Sequence, residues 1–129
     1  MIILKANIPS HDENISRFIF SKSHYVKTTG RVKYAAFLPL EGKTSVFRTS
    51  CLTESEIWTI GKQVGIESGR GLKARGDLSV KEVTEESLLV VSETSQHPLH
   101  ADIVNWPMEE ARNILLAKKL ADKAKGVCL

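Results

Sequence analysis

The stretch TSVFRTSCLTESEIWTIGKQVG, residues 44–65, decides the fold class, because it passes from a strand to a helix within a few residues. Residues 44–49 are rich in β-formers and predict a strand. Thr53 and Glu56 then form a capping box, in which each side chain can bond the backbone of the other residue. Apolar residues at helical spacing follow, so we predict a helix over about residues 53–65.

Strand-like segments precede this stretch. Residues 17–20 and 31–38 carry β-formers, and with the strand at 44–49 they predict an antiparallel meander over residues 17–50. The first residues of the chain are expected to add a short edge strand that Pro9 ends.

A glycine-rich basic connection, residues 68–77, follows the central helix, for which Gly65 is the expected C-cap. Ser79 and Glu82 form a second capping box and predict a short helical segment. Residues 88–91 are apolar and predict a buried strand.

The C-terminal helix has the strongest local signals. Pro107 suits the first helical position, where no backbone N–H is needed. Acidic residues in the first turn and lysines in the last suit the helix dipole, and Gly126 is expected to end a helix over about residues 107–125. Trp106 precedes it and is expected to pack at the helix entry, with stacking on a base or sugar as the alternative. The fold is therefore predicted as α+β: a small antiparallel sheet with a central and a C-terminal helix in one domain, residues 1–129.

Length and composition are typical of one globular domain. The chain has 129 residues, of which 42% are hydrophobic and 26% charged, and this excludes a disordered protein. No apolar run approaches the roughly 20 residues that cross a bilayer. Residues 1–5 lack the pattern of a signal peptide, and Cys51 and Cys128 are not spaced as a zinc site. We therefore expect a cytoplasmic protein with no membrane partner.

Positive charge is concentrated in two parts of the chain, although the net charge is only +3. The first part has seven cations and one acid, namely Arg17, Lys22, Lys27, Arg31, Lys33, Lys43 and Arg48 against Glu41. The second part comprises Arg70, Lys73 and Arg75. If the two parts meet in space, they form a basic face that could bind a phosphate-containing ligand or nucleic acid. The alternative is that these charges are solvated on several faces.

The densest group of polar side chains lies in residues 97–102, HPLHAD. Side chains two apart in an extended segment point the same way, so Asp102 could orient His100 as a general base. Arg48 would then clamp an anionic substrate group, and His24 or His97 would assist. Binding of a divalent metal and simple backbone capping by the histidines are the alternatives. No cofactor motif is present, so we predict no cofactor.

Three segments of the chain resemble a group of short bacterial proteins for which no activity is established. They are residues 44–48 (TSVFR), 56–58 (EIW) and 100–107 (HADIVNWP), the last followed by an Ala- and Lys-rich helix. The resemblance covers most of residues 17–125. It implies a bacterial, cytoplasmic setting and a single compact domain. It also adds interest to Arg48, His100 and Trp106, but it implies no mechanism.

The sequence therefore favours a binding module for an anionic partner. One alternative is a small enzyme that uses His100 and Asp102 with Arg48 as the anion clamp. The other is an accessory factor that binds a second protein, which the sequence neither supports nor excludes.

Overall fold

A computed structural model describes residues 8–129, and the edge strand predicted for the first residues lies outside this range. Within it the chain forms six strands and three α-helices. The strands are β1 (Asn14–Ile19), β2 (Thr44–Arg48), β3 (Ala74–Ser79), β4 (Leu89–Ser92), β5 (His100–Val104) and β6 (Lys125–Cys128). The helices are α1 (Glu54–Ser68), α2 (Val80–Thr84) and α3 (Glu110–Lys123). None of these helices has the length and apolar character that crossing a membrane requires.

The six strands form one antiparallel sheet in the order β4-β5-β2-β1-β3-β6. This confirms the predicted α+β class, with one helix near the middle of the chain and one near its end. β2 pairs with β5 so that Ser45 lies opposite Asp102 and Phe47 lies opposite His100. The pairing brings together two segments that are far apart in sequence, and it places the groups of the candidate site.

Alternate side chains of each strand pack into different layers. Ile15 and Val46 point to the face that is covered by α2, α3 and the 3₁₀ turn Tyr34–Ala36, which we call the α3 face. Phe18 points to the opposite face and packs against Ile57 of α1, and we call this the α1 face. α1 packs on this face, and a groove lies between α1 and the chain that joins β4 to β5.

Both predicted capping boxes are confirmed. The Thr53 hydroxyl accepts a hydrogen bond from the Glu56 backbone N–H at 3.2 Å, and Glu56 Oε1 accepts one from the Thr53 N–H at 2.9 Å. Ser79 and Glu82 make the same pair of bonds at the start of α2, at 3.1 and 2.8 Å. These bonds satisfy backbone donors that have no partner inside the helix.

The central helix continues past its predicted end at Gly65. It reaches Ser68, and Gly69 closes it in the left-handed conformation with φ of 70°. Gly65 lies inside the helix, where a Cβ would press against the backbone carbonyl of Arg70. Glycine at this position therefore serves close packing of the chain and does not cap the helix.

The strand predicted at residues 31–38 is wrong. Val32 makes an isolated bridge, and the chain then forms the 3₁₀ turn Tyr34–Ala36. Ala36 and Phe37 are neighbours and both are buried. A strand would send these two side chains to opposite faces, whereas the turn lets both of them enter the core.

The C-terminal helix starts later than the predicted range, residues 107–125. Trp106 packs against the core, and its indole N–H donates to the Ile103 carbonyl at 3.0 Å. The chain bends after this contact and α3 begins at Glu110. Gly126 does not end the helix: α3 stops at Lys123, and Gly126 belongs to β6.

Candidate functional site

A groove of about 490 Å³ opens on the α1 face, between α1 and the chain that joins β4 to β5. Its apolar residues are Phe47, Ile60 and Val64. Its polar residues are Ser45, Thr59, Gln63, Glu67, Glu93, Ser95, Gln96, His97 and His100. A concave site with an apolar wall and a few converging polar groups is the usual form of a small-molecule site.

Ser45 and His100 are joined by a hydrogen bond in this groove. Ser45 Oγ lies 2.7 Å from His100 Nε2, and His100 Nδ1 lies 2.7 Å from the backbone carbonyl oxygen of Glu93. A carbonyl oxygen can only accept, so Nδ1 carries a proton. In the neutral imidazole Nε2 is then the acceptor, and the Ser45 hydroxyl donates to it. This is the arrangement of a hydroxyl nucleophile and its base.

Two carboxylates flank the imidazole of His100. Asp102 Oδ1 is 3.5 Å from Nε2, and Glu93 Oε1 is 3.6 Å from Nδ1. Burial raises the pKa of Asp102, whereas hydrogen bonds from Ser95 lower the pKa of Glu93. The structure therefore brings the predicted pair His100 and Asp102 together, and adds Glu93 as a second charge beside the ring.

Phe47 positions both histidines of the groove. Its ring centroid is 5.3 Å from that of His97 and 5.4 Å from that of His100, with the rings edge to face in each case. Burial, assisted by the nearby His100, lowers the pKa of His97, and its Nδ1 accepts the Leu99 backbone N–H at 3.0 Å. Across residues 8–129 no three His, Cys, Asp or Glu side chains converge as a metal site would require.

The structure does not bring Arg48 and His24 to this groove. Arg48 lies on β2 three residues after Ser45, so it points to the α3 face, where it is 5% exposed and makes a bidentate contact to Glu13 at 2.7 and 2.8 Å. His24 belongs to the 3₁₀ turn Lys22–His24, outside the groove lining. The arrangement in which Arg48 clamps a substrate beside His100 is therefore not present.

The pair of Arg48 and Glu13 predicts acid sensitivity. The hydrogen bond from Arg48 holds the pKa of Glu13 below its usual value of 4.5. The ionised carboxylate therefore stabilises the fold fully above that value, and this stability is lost as pH falls through the lowered pKa. We expect Glu13→Gln to melt earlier than the wild type at pH 7 and to show a shallower fall in Tm on acidification. The control is Glu41→Gln, at an exposed position, and Glu13→Gln melting in parallel with it at every pH would contradict this role.

Arg75 is buried in the sheet and is held by carboxylates of the chain. The connection predicted at residues 68–77 becomes β3 in its second half, in a part of the sheet flanked on both sides by other strands. The Arg75 guanidinium contacts Glu54 at 2.6 Å and Asp77 at 3.0 Å, lies 4.6 Å from the Trp58 ring centroid, and is 2% exposed. Its charge is paired with carboxylates of the chain, although its Nη1 has no hydrogen-bond partner within the described residues, and its role in ligand binding stays a prediction.

A second concavity, which we call the cationic pocket, joins the two basic parts of the chain. It has a volume of about 390 Å³. Its lining residues are Lys22, Tyr25, Lys27, Leu72, Lys73 and Leu129. Lys22 and Lys27 come from the first basic part and Lys73 from the second, so the predicted ligand residue Lys73 is placed beside two further lysines. It shares no lining residue with the groove.

Arg17, Arg70 and His24 form a further positively charged group, outside the lining of the cationic pocket. Arg17 donates to the backbone carbonyls of Ala36 and Ser45, at 2.7 and 2.9 Å, and has no carboxylate in ion-pair contact within the described residues. Burial and the charge of Arg70 lower the pKa of the Arg17 guanidinium to about 10. Burial, Arg17 and Arg70 also lower the pKa of His24. The predicted residues His24 and Arg70 thus belong to this positive region and not to the groove.

Ser45 and Glu93 were not predicted as site residues from the sequence. Their roles depend on the pairing of β2 with β5 and on the path of the chain between β4 and β5. The polar residue Ser45 within a strand of β-formers is a weak signal, since such a serine can also face solvent. The side chains of one strand do not reveal which strand lies beside it.

The fold and its sites define an α+β protein with a six-stranded antiparallel sheet, an apolar groove on one face and a separate cationic pocket. Comparisons of the chain with protein-family models, curated proteins and solved structures find no match. The geometry of the two sites is therefore the basis for the proposals that follow.

Proposed function

We propose that this protein binds a phosphate-bearing anion in the cationic pocket. The observation that carries the proposal is that Lys22, Lys27 and Lys73 line one pocket although they come from separate parts of the chain. Within residues 8–129 no carboxylate lies in ion-pair contact with any of the three lysines. A phosphate would supply the missing negative charge and accept hydrogen bonds from the ammonium groups.

The surroundings of the pocket support this proposal. Burial lowers the pKa of His24, which lies two residues from Lys22, and the charges of Arg17 and Arg70 lower it further, so cations lie close to this turn. Residues 1–7, MIILKAN, contain no acidic side chain that could neutralise the region. A local excess of positive charge attracts anions and repels cations before any contact forms.

The size of the pocket favours a small ligand. Its volume of about 390 Å³ falls in the range of roughly 300–1,000 Å³ that is common for small-molecule sites. Lysine binds a phosphate as a point charge and does not impose a planar geometry, so the site fits a phosphate group in several orientations. Nucleic acid is the alternative ligand, and it would have to contact cations beyond the pocket.

Calorimetric titration with inorganic pyrophosphate tests the proposal. We expect binding at low salt that weakens as salt is added. Replacing Lys73 by glutamine should weaken it roughly tenfold, as expected for the loss of one charge-assisted contact. The same titration with a mixed-sequence oligonucleotide separates the two ligand classes, since a nucleic acid contacts more cations and its affinity falls more steeply with salt than that of pyrophosphate.

The matched control is Lys62→Gln, an exposed lysine on α1 that does not line the pocket. It should bind pyrophosphate as the wild type does. Equal affinities of Lys73→Gln and Lys62→Gln would contradict the site. Binding of the oligonucleotide without binding of pyrophosphate would favour the nucleic-acid ligand.

A further inference from the structure

We infer that the groove on the α1 face is a hydrolytic site in which Ser45 is the nucleophile and His100 its general base. The inference is independent of the cationic pocket, with which the groove shares no residue. It differs from the enzyme that the sequence suggests, because the nucleophile is a serine outside the residue 97–102 segment and Arg48 takes no part.

The imidazole of His100 is oriented as a base for Ser45. The Glu93 carbonyl fixes the proton on Nδ1, and this leaves Nε2 directed at Ser45 Oγ at 2.7 Å. A serine hydroxyl is a weak nucleophile unless a base within hydrogen-bond distance removes its proton. The base must itself be held by a third group, and here the backbone of Glu93 holds it.

The positive charge that forms on His100 during the reaction is also stabilised in this groove. When His100 accepts the Ser45 proton it becomes an imidazolium, which lies 3.5 Å from the Asp102 carboxyl group and 3.6 Å from that of Glu93. A negative charge at either position favours the charged ring. Asp102 and Glu93 are therefore positioning and charge-stabilising residues, which act through His100.

The chemical step follows from these positions. Ser45 Oγ attacks the carbonyl carbon of an ester, a C–O bond forms, and the serine proton passes to His100 Nε2. The tetrahedral intermediate then expels the alcohol, which takes the proton from Nε2 and leaves Ser45 acylated. A water molecule attacks the acyl group, again with His100 as base, and this releases the acid and restores the serine.

The lining of the groove defines the class of substrate. Phe47, Ile60 and Val64 offer an apolar wall to a hydrocarbon group. The carboxylates on the lining are Glu67 and Glu93, so the groove repels an anionic substrate. The substrate is thus an ester with an apolar acyl or alcohol part that is neutral or positively charged.

Covalent labelling of the full chain tests the inference. An alkyl fluorophosphonate should react at Ser45, where Oγ bonds to phosphorus, fluoride leaves and the proton passes to His100. Mass spectrometry of the digested protein locates the adduct. His100→Gln should slow the labelling by about 100-fold, the lower part of the usual range for general-base catalysis. The wild type should also release p-nitrophenol from p-nitrophenyl butyrate, faster than from an ester whose acyl chain ends in a carboxylate.

Two comparisons make the result decisive. Ser55→Ala removes an exposed serine of α1 outside the groove lining, and it should label at Ser45 like the wild type. Wild type that is unfolded by heat before the probe is added should form no adduct at Ser45. This control tests the site even if His100→Gln fails to fold. A folded wild type without an adduct at Ser45 would overturn the inference. So would a folded His100→Gln variant that labels as fast as the wild type.

Discussion

Replacing Gly126 by alanine is expected to lower the free energy of unfolding by about 3 kcal/mol, the upper part of the range for overpacking. Gly126 lies in β6 and pairs with Gly76 of β3. A Cβ on Gly126 would fall on the backbone carbonyl of Gly30, which crosses directly over this position. The obstacle is backbone and not the end of a flexible side chain, so β6 or the segment around Gly30 must shift.

The measurement is a thermal melt of the purified variant. For a chain of 129 residues a loss of about 3 kcal/mol corresponds to a fall in Tm of about 10 °C. Gly71→Ala is the matched control, because a Cβ there meets no atom within 4 Å and the residue has no positive φ. A Gly126→Ala protein that melts with Gly71→Ala would mean that β6 does not pack against Gly30.

Replacing Arg75 by alanine is expected to have a similar effect, a loss of about 3 kcal/mol, the lower end of the range for breaking a buried ion pair. The variant leaves the Asp77 carboxylate with the hydrogen bond from the Ser16 hydroxyl and removes the guanidinium from the face of Trp58. We expect a loss of stability at the lower end of this range because Glu54, the other ion-pair partner, is exposed and can be solvated.

Urea unfolding of Arg75→Ala measures this loss. Arg112→Ala is the control, since Arg112 is exposed and its contact to Glu109 spans 3.7 Å; such surface pairs contribute roughly 0–1 kcal/mol. Folded Arg75→Ala should keep the pyrophosphate affinity of the wild type, because Arg75 does not line the cationic pocket. A variant with normal stability and lost pyrophosphate binding would show that Arg75 contacts the ligand after all.

Structures that depend on residues close together in the chain could be predicted from the sequence alone. The capping boxes at Thr53 and Ser79 form as predicted, because each uses a side chain and a backbone group three residues apart. The α+β class also follows from local patterns, in which β-formers alternate in strands and apolar residues recur at helical spacing. Local patterns failed at residues 31–38, where the demand to bury both Ala36 and Phe37 outweighs the strand propensity.

Which of the polar residues lie close together depends on the tertiary structure. Arg48 and Arg75 belong to the basic parts of the sequence, yet each is buried: Arg48 pairs with Glu13, and Arg75 pairs with Glu54 of α1 and Asp77 of its own strand. Lys73 lines the same pocket as Lys22 and Lys27, although these residues are far apart in the sequence.

The Ser45–His100 pair likewise exists because β2 lies beside β5 in one register. A shift of that register by one residue would turn every side chain of the strand to the other face. Register and strand order are set by the packing of the whole core on both faces of the sheet. No single segment carries that information, and for this reason the sites could be located only once the chain was folded.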